Sequence, residues 1–299
     1  MLISTVTILI GWTFVGKNLQ LFEKEIPAEV LEKSFKVISF NVEGFRQRNT
    51  VQSNGNMLNI FDFLHEEDAD IICMQEFVVN PWSTDLTEKN LIKQFGKTPY
   101  FQIDYQGKGW YSSIATFSKY PIISKELVYA DGTTNACMYS DLLIGTDTVR
   151  VYNGHLKSVG FQNDEKQFLK NVVRTEYDRS DIRAVKSIIR QMKAASIARA
   201  RQVEILSSHI AQSPYPVIIC GDFNDPPTSF SYRKVRGKRK DAFVEAGSGR
   251  GTTYNIGRIT SLRIDFILYS DVFKAYSYES PRVLLSDHFP VMCRLVKQE

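Results

Sequence analysis

The sequence predicts a single α/β domain, and three features indicate it. Short apolar runs rich in Val, Ile and aromatic residues recur along the chain, which is typical of buried strands. Segments with helical spacing lie between some of these runs. No internal repeat, low-complexity linker or shift of composition marks a second domain, and 43% hydrophobic residues can supply a substantial core.

Eight apolar runs are predicted to be strands. They are Phe35–Phe40, Asp70–Gln75, Ser112–Phe117, Ala136–Ile144, Thr148–Asn153, Pro216–Cys220, Arg263–Leu268 and Val291–Val296. Two segments have the period of an amphipathic helix. In residues 56–67 the apolar side chains of Met57, Ile60, Phe61 and Leu64 recur at i, i+3, i+4 and i+7, and a second helix is expected from about Asp181 to Ala211.

The first sixteen residues carry no charge, and Lys17 is the first charged residue. No basic region precedes the stretch and no small-residue cleavage site follows it, which argues against an ordinary signal peptide. It is also shorter than the roughly 20 residues that cross a bilayer. We predict an apolar segment over residues 1–22, a connection over 23–34, and one domain over 35–299. The apolar segment is the end of a truncated spanning helix, a short membrane anchor, or a helix folded onto the domain, and the membrane-related alternatives are favoured. A membrane-associated or exported protein is the expectation, with a cytoplasmic one as the alternative.

The charge pattern is uneven although the formal net charge is only +4, too small by itself to indicate a nucleic-acid-binding protein. Residues 166–201 carry ten Lys or Arg against three acids, and a second basic cluster spans Arg233–Lys240. Such clusters are most often solvated surfaces. The four cysteines, Cys73, Cys137, Cys220 and Cys293, form no CxxC or Cys/His cluster, so free thiols are expected.

Polar side chains stand where apolar strands stop. They are Asn41 after VISF, Glu76 after IICMQ, His155 in VYNGH, Asp222 and Asn224 in GDFND, Asp265 in LRIDFIL, and Asp287 and His288 in SDHFP. In open α/β sheets, ligands collect at the carboxyl ends of strands. Because four of the motifs share that placement, we expect their side chains to meet at one edge of a sheet.

These groups have a joint chemical logic. Mg²⁺ prefers oxygen ligands, which carboxylates and amide oxygens can supply. A phosphate ester also needs an aligned water and a neutralised leaving oxygen, and an imidazole that titrates near neutral pH suits both tasks. An Asp on the far ring nitrogen would hold the tautomer of His288, and Asp265 is the candidate.

Each residue taken alone has an ordinary structural explanation, such as a turn at GDFND. The conjunction argues against it, since four fixed residues at ~5% usage each occur by chance in about 0.2% of chains of this length. GDFN and SDHFP, in this order and with the other motifs, resemble the endonuclease/exonuclease/phosphatase superfamily. It includes deoxyribonucleases, abasic-site endonucleases, bacterial sphingomyelinases and inositol polyphosphate 5-phosphatases.

The resemblance covers about residues 35–297 and implies a four-layer α/β/β/α sandwich of two packed mixed β-sheets. It implies that Glu76 is the principal Mg²⁺ ligand, with Mn²⁺ as an alternative ion, and that Asn41 and Asp287 lie close to the metal. Asp222 and Asn224 would orient the attacking water and the phosphate. His288, paired with Asp265, would act as base or as a phosphate contact, and His155 would stabilise the transition state or protonate the leaving group.

Residues 160–213 are long for a minimal member, and together with the apolar N-terminus they resemble a bacterial subgroup with N-terminal membrane helices. The expected activity is a metal-dependent phosphodiesterase of nuclease type, whose basic clusters hold nucleic acid at the site. The alternatives are hydrolysis of a sphingomyelin or phospholipid headgroup, hydrolysis of inositol phosphates, and a pseudoenzyme that binds phosphorylated ligands. No obligate protein partner is indicated.

Overall fold

The computed structural model describes residue 11 and residues 15–46, 49–51, 57–106, 111–130, 135–160, 179–255 and 261–298. Two six-stranded sheets form its centre. In chain order their strands are β1 Ser34–Asn41, β2 Ile71–Val79, β3 Tyr100–Gln106, β4 Tyr111–Ser118, β5 Ile122–Ala130, β6 Ala136–Ile144, β7 Asp147–His155, β8 Val217–Asp222, β9 Lys240–Asp241, β10 Asp265–Tyr269, β11 Phe273–Glu279 and β12 Val291–Lys297.

The helices lie outside these sheets. They are α1 Ala28–Leu31, α2 Ile60–Glu67, α3 Glu88–Gln94, α4 Arg179–Ala211, α5 Phe230–Arg236 and α6 Ala242–Ala246. A 3-10 turn covers Glu43–Phe45. Three two-stranded ladders add to the surface: Leu19–Gln20 with Gly249–Arg250, Asn49–Val51 with Met57–Asn59, and Tyr254–Asn255 with Ser261–Leu262.

Each large sheet is mixed, with one parallel pair among antiparallel ones. The first sheet has the order β11-β12-β1-β2-β4-β3, and its parallel pair is β1 and β2. The second has the order β9-β10-β8-β7-β6-β5, with β7 and β8 parallel. Both parallel pairs are central, so their carboxyl ends are flanked on each side by other strands of the sheet.

The two sheets pack face to face because their central strands carry apolar side chains on both faces. Phe35 and Cys73 of the first sheet share a core with Val151 and Ile218 of the second. On the outer face of the first sheet, α2 buries Phe63 and its apolar neighbours. On the outer face of the second, α4 buries Val203, Leu206 and Ile210 beside α5. The predicted four-layer α/β/β/α sandwich is therefore confirmed.

All eight predicted strands are present, each within a few residues of its predicted bounds. The four strands that the sequence pattern missed are β3, β5, β9 and β11, and these are the edge strands of the two sheets. An edge strand is covered less than a central one, so its composition is more polar. In β5, for example, Ser124–Leu127 is an exposed stretch in the middle of the strand.

The predicted helix over residues 56–67 begins later than its apolar period suggests. Met57 belongs to a short strand instead, and the helix starts at Ile60. Asn59 sets this start, because its side-chain oxygen accepts from the backbone N–H of Phe61 at 2.8 Å and of Asp62 at 2.9 Å, as an N-cap does. The second predicted helix is confirmed as α4.

Residues 15–26 run along the surface of the sandwich. Leu19 and Gln20 pair with Arg250 and Gly249, and the carbonyl of Lys24 accepts from the N–H of Ser277 at 2.7 Å. Most of the uncharged stretch over residues 1–16 lies outside the described residues. Among the helices of the described ranges, none has both the length and the apolarity to span a membrane.

Candidate active site

The carboxyl ends of the two parallel pairs face each other across the sandwich. Asn41 ends β1 opposite Gln75 of β2, and His155 ends β7 opposite Asp222 of β8. The Asn41 amide nitrogen donates to the Asp222 carboxylate at 3.0 Å, which joins the two sheets at this edge. The sequence-predicted gathering of strand ends is therefore present, and it includes both sheets.

Asp265 and His288 reach the same edge from the amino ends of antiparallel strands. Asp265 is the first residue of β10 and lies opposite Asp222 of β8. His288 precedes β12, which runs antiparallel to β1. The Nδ1 atom of His288 lies 3.0 and 3.2 Å from the two Asp265 carboxylate oxygens, so the predicted contact between them is present.

The buried ring of His288 is held on several sides. Its Nε2 atom is 3.6 Å from an Asp222 oxygen, and its centroid is 4.6 Å from that of the Tyr254 ring. Its backbone N–H donates to the hydroxyl of Ser286 at 3.1 Å. Burial by itself lowers the pKa of His288, but the carboxylates of Asp265 and Asp222 outweigh it and raise the pKa to about 10. The ring is thus an imidazolium at neutral pH.

His155 approaches Asp222 from another side. Its Nε2 atom lies 3.7 Å from the same Asp222 oxygen and 3.8 Å from an oxygen of Glu76. The Asp222 carboxylate therefore lies between two imidazoles. Asn224 also contacts the Asp222 carboxylate, to which its backbone N–H donates at 2.8 Å. Its amide nitrogen donates to the Leu156 carbonyl at 3.0 Å.

Glu76 lies on a bulge. The register between β2 and β4 shifts between Met74 and Phe77, and Glu76 has a φ of 51°, in the left-handed region. Residues other than glycine rarely adopt this conformation, and bulges of this kind re-aim side chains beside active sites. The bulge brings the Glu76 carboxylate to 3.4 Å from the Asn41 amide nitrogen and leaves it 34% exposed.

Glu43 is a site residue that the sequence pattern did not single out. Its backbone N–H donates to the Asn41 side-chain oxygen at 3.0 Å, and its carboxylate accepts from the Asp287 N–H at 3.3 Å. Glu43, Gly44 and Phe45 all have positive φ, which curls the loop after β1 back over the edge. In the sequence, the only indication of this role was that Glu43 is an acid two residues after Asn41. Its contacts become visible only in the fold.

The acidic part of the site fits a divalent cation. The carboxylates of Glu43, Glu76 and Asp287 converge, since Glu43 accepts from the Asp287 N–H and the charges of Glu43 and Glu76 both act on Asp287. Burial raises the pKa of Asp287 to about 6, and the charges of Glu43, Glu76 and Asp222 add to this against the effect of His288. Asp222, Asp265 and His288 also bring ligand atoms within 4.8 Å of one another, but there Asp265 is already engaged by the imidazole. The oxygen donors of the open carboxylates are the ligands that a hard cation prefers.

The basic cluster Arg233–Lys240 does not end at this edge. Lys240 lies opposite Tyr269, at the end of β10 that is remote from Asp265. Lys234 forms an ion pair with Glu204 of α4 at 2.7 Å. The expectation that this cluster borders the site is therefore wrong, because α5 leads the chain away from GDFND along the outer face of the sheet.

The other basic run is only partly described, since residues 161–178 lie outside the described residues. In α4, Ile188, Ala195 and Arg199 are buried on one face of the helix. Arg190 and Lys193 fall on the opposite face and are exposed. The described basic side chains of this run, apart from Arg199, are thus mainly solvated.

Comparisons with known proteins identify the family of this chain. Residues 38–288 match the model of the endonuclease/exonuclease/phosphatase family, a range that contains all eight predicted site residues. An exodeoxyribonuclease of Bacillus subtilis (strain 168) is 26% identical over 251 residues, which cover 83% of this chain and 81% of the relative.

Solved structures show the same fold. An endonuclease/exonuclease/phosphatase from Beutenbergia cavernae DSM 12333 superposes with a TM-score of 0.62 at 14% identity, over 89% of this chain and 72% of the other. A truncated TDP2 of Caenorhabditis elegans gives a TM-score of 0.55 at 19% identity, over 88% of this chain and 98% of the other. The chain therefore belongs to the endonuclease/exonuclease/phosphatase family of hydrolases, whose members generally depend on a divalent metal ion.

Proposed function

We propose that the protein is a divalent-metal-dependent phosphodiesterase of nuclease type. The observation that carries the proposal is the placement of Asp222 between the two imidazoles, with the open carboxylates of Glu76 and Asp287 on the same edge. This arrangement can hold a phosphate, a water and a cation together, as phosphodiester hydrolysis requires.

Glu76, Asp287 and the Asn41 amide oxygen would hold Mg²⁺ or Mn²⁺, with Glu43 as a further acid beside them. When bound, the ion would neutralise phosphate charge and favour ionisation of a water. The carboxylates fit this role because burial, together with the neighbouring charges of Glu43, Glu76 and Asp222, raises the pKa of Asp287, and a bound cation would offset both effects.

The remaining residues would act on the substrate directly. Asp222, oriented by Asn41 and Asn224, would align the attacking water and accept its proton. His288 would donate a hydrogen bond to a non-bridging phosphate oxygen, since its raised pKa keeps both ring nitrogens protonated. Asp265 would hold that ring in place, and His155 would stabilise the leaving oxygen from the other side of Asp222.

Nucleic acid is the substrate class that we favour. The support is the relative of Bacillus subtilis, an exodeoxyribonuclease that aligns along most of both chains. The proposal is tested against three alternatives. The protein could hydrolyse a lipid headgroup, hydrolyse an inositol phosphate, or bind a phosphorylated ligand without cleaving it.

The test is an assay of single- and double-stranded DNA, RNA, sphingomyelin, inositol phosphates and p-nitrophenyl esters with Mg²⁺, Mn²⁺ or excess EDTA. Wild type and Glu76→Gln are compared, with Glu66→Gln as a control because Glu66 is an exposed acid of α2. We expect cleavage of a nucleic acid with either metal, a loss of at least about 10²-fold in Glu76→Gln, and none in Glu66→Gln. Full activity in EDTA, or a wild-type rate in Glu76→Gln, would contradict the metal mechanism.

A further inference from the structure

Lys157 lies two residues after His155, the last residue of β7, and its side chain lies on the face of the sheet that carries the site. The ladder between β7 and β8 continues past His155, since the Leu156 N–H donates to the Asp222 carbonyl at 2.9 Å. Leu156 is buried in the outer core beneath α4. Successive side chains of an extended strand point to opposite faces, so Lys157 lies on the same face as His155.

Helix α4 holds the backbone of Lys157 at two points. Its N–H donates to the Gln202 side-chain oxygen at 2.9 Å, and its carbonyl accepts from the Arg199 guanidinium at 2.8 Å. Arg199 is only 3% exposed and is itself fixed by an ion pair with Asp225 at 2.9 Å. Asp225 directly follows Asn224, so one buried arginine joins the two loops that follow β7 and β8.

The Lys157 ammonium is free to bind substrate. The side chain is half-buried, and its ammonium forms no hydrogen bond or ion pair with any part of the chain that the structure describes. Arginines near the site are engaged elsewhere: Arg199 with Asp225, and Arg263 with Asp241 at 2.8 Å. The site is rich in carboxylates, so an anionic substrate needs a cation of this kind at its border.

We propose that Lys157 binds the phosphate adjacent to the scissile one and so makes the site selective for polynucleotides over isolated phosphodiesters. The proposal rests on the phosphodiesterase function proposed above. Two residues of strand separate Lys157 from His155 by about 7 Å, a separation comparable to that of neighbouring phosphates along one strand. The contact is therefore with the next phosphate in the chain and not with the reacting one.

The decisive variants are Lys157→Ala and Lys157→Arg, with Lys193→Ala as the matched control. Lys193 carries the same charge as Lys157, but it is exposed on the solvated face of α4. Each variant is assayed with Mg²⁺ on an oligonucleotide and on bis(p-nitrophenyl) phosphate, which has a single phosphate. Thermal unfolding of each variant checks that the fold is retained.

For Lys157→Ala we expect a rise in KM that is at least about tenfold larger on the oligonucleotide than on the small ester, because one charge-assisted phosphate contact is lost. The kcat on the oligonucleotide should change much less than KM, Lys157→Arg should restore most of the affinity, and Lys193→Ala should match wild type. Oligonucleotide binding by Lys157→Ala should also lose about 0.7–0.9 log units from its salt slope.

Equal KM effects on both substrates, an effect on kcat alone, or an unchanged salt slope would overturn the proposal. If wild type cleaves neither substrate, the proposed function fails, and oligonucleotide binding measured by fluorescence anisotropy at low salt then decides about Lys157. Absent binding, or binding that Lys157→Ala leaves intact, would overturn the inference in that case too.

Discussion

At the scale of single residues, the orientation of His288 depends on groups from three separate parts of the chain. Asp265 holds Nδ1, the Tyr254 ring lies beside the imidazole, and Ser286 accepts from the backbone N–H. The raised pKa follows from this enclosure, because two buried carboxylates stabilise the imidazolium more than burial disfavours it. The ring thus has a defined charge and direction before substrate arrives.

Asp265→Asn tests whether this enclosure matters for the reaction. The change keeps the size of the side chain but removes the charge, so the pKa of His288 should fall toward its ordinary value. We expect kcat to fall at least about tenfold, and to fall about 10²-fold or more in His288→Ala, where the group itself is lost. Steady-state kinetics gives the rates, and NMR titration of the ring gives the pKa. A wild-type kcat in Asp265→Asn together with an inactive His288→Ala would show that the pair is not functional.

At the scale of elements, irregular backbone segments determine which side chains at the strand ends point into the site. The bulge in β2 directs Glu76 into the site, and the positive φ values after β1 return Glu43 to it. The surface segment over residues 15–26 has another role, because it contributes hydrogen bonds to the sandwich. Asn18 and Ile26 each take part in one of these bonds, and Lys24 takes part in two.

Truncation tests the contribution of this segment to stability. A chain beginning at Val15 keeps the bonds to Gly251, Ala246 and Ser277, whereas one beginning at Pro27 loses them. Three backbone hydrogen bonds contribute about 1 kcal/mol each, so we expect the shorter chain to unfold roughly 5 °C or more below the longer one in calorimetry. The activity of the Val15 chain on a soluble substrate should equal that of the full sequence. Equal unfolding temperatures for the two truncations would mean that the segment does not stabilise the domain.

At the scale of the whole molecule, a buried polar layer beneath the site joins the sheets. Asn153 of β7 reaches across the interface, where its amide nitrogen donates to the carbonyls of Met74 at 3.2 Å and Ala115 at 2.8 Å. Its side-chain oxygen accepts from Gln75 at 2.8 Å. These carbonyls adjoin the β2 bulge, so a residue of one sheet supports the distortion that orients Glu76 in the other.

Asn153→Ala tests this layer. It leaves buried carbonyls without their donor, at a cost of about 1–3 kcal/mol for each group. We expect the free energy of unfolding, measured in urea, to fall by roughly 2–5 kcal/mol. Ser140→Ala is the matched control, because Ser140 makes one bond across the same interface, to Gln102 at 2.7 Å. An effect of Asn153→Ala no larger than that of Ser140→Ala would contradict the central role of Asn153.

The sequence by itself determined the α/β class, the central strands and the identity of the polar groups at their ends. These features are local: a strand buried on both faces is apolar throughout, and a motif such as GDFND directly follows such a strand. For the same reason the edge strands escaped prediction, since half-exposed strands do not carry a continuous apolar signal. The start of α2 also escaped prediction, because Asn59 caps the helix there whereas apolar spacing alone extends it back to Met57.

Only the tertiary structure decided which of those groups meet, and how they are aimed. Asn41 contacts Asp222 across 181 residues of chain, and the position of Glu43 depends on a hydrogen bond to Asp287 that spans 244 residues. The basic cluster Arg233–Lys240 leaves the site edge because α5 follows the outer face of the sheet, whereas Lys157 stays there because α4 holds its backbone. Local composition specifies each strand and its last residues, but contacts between distant strands follow from register, bulges and packing, which no single stretch of sequence contains.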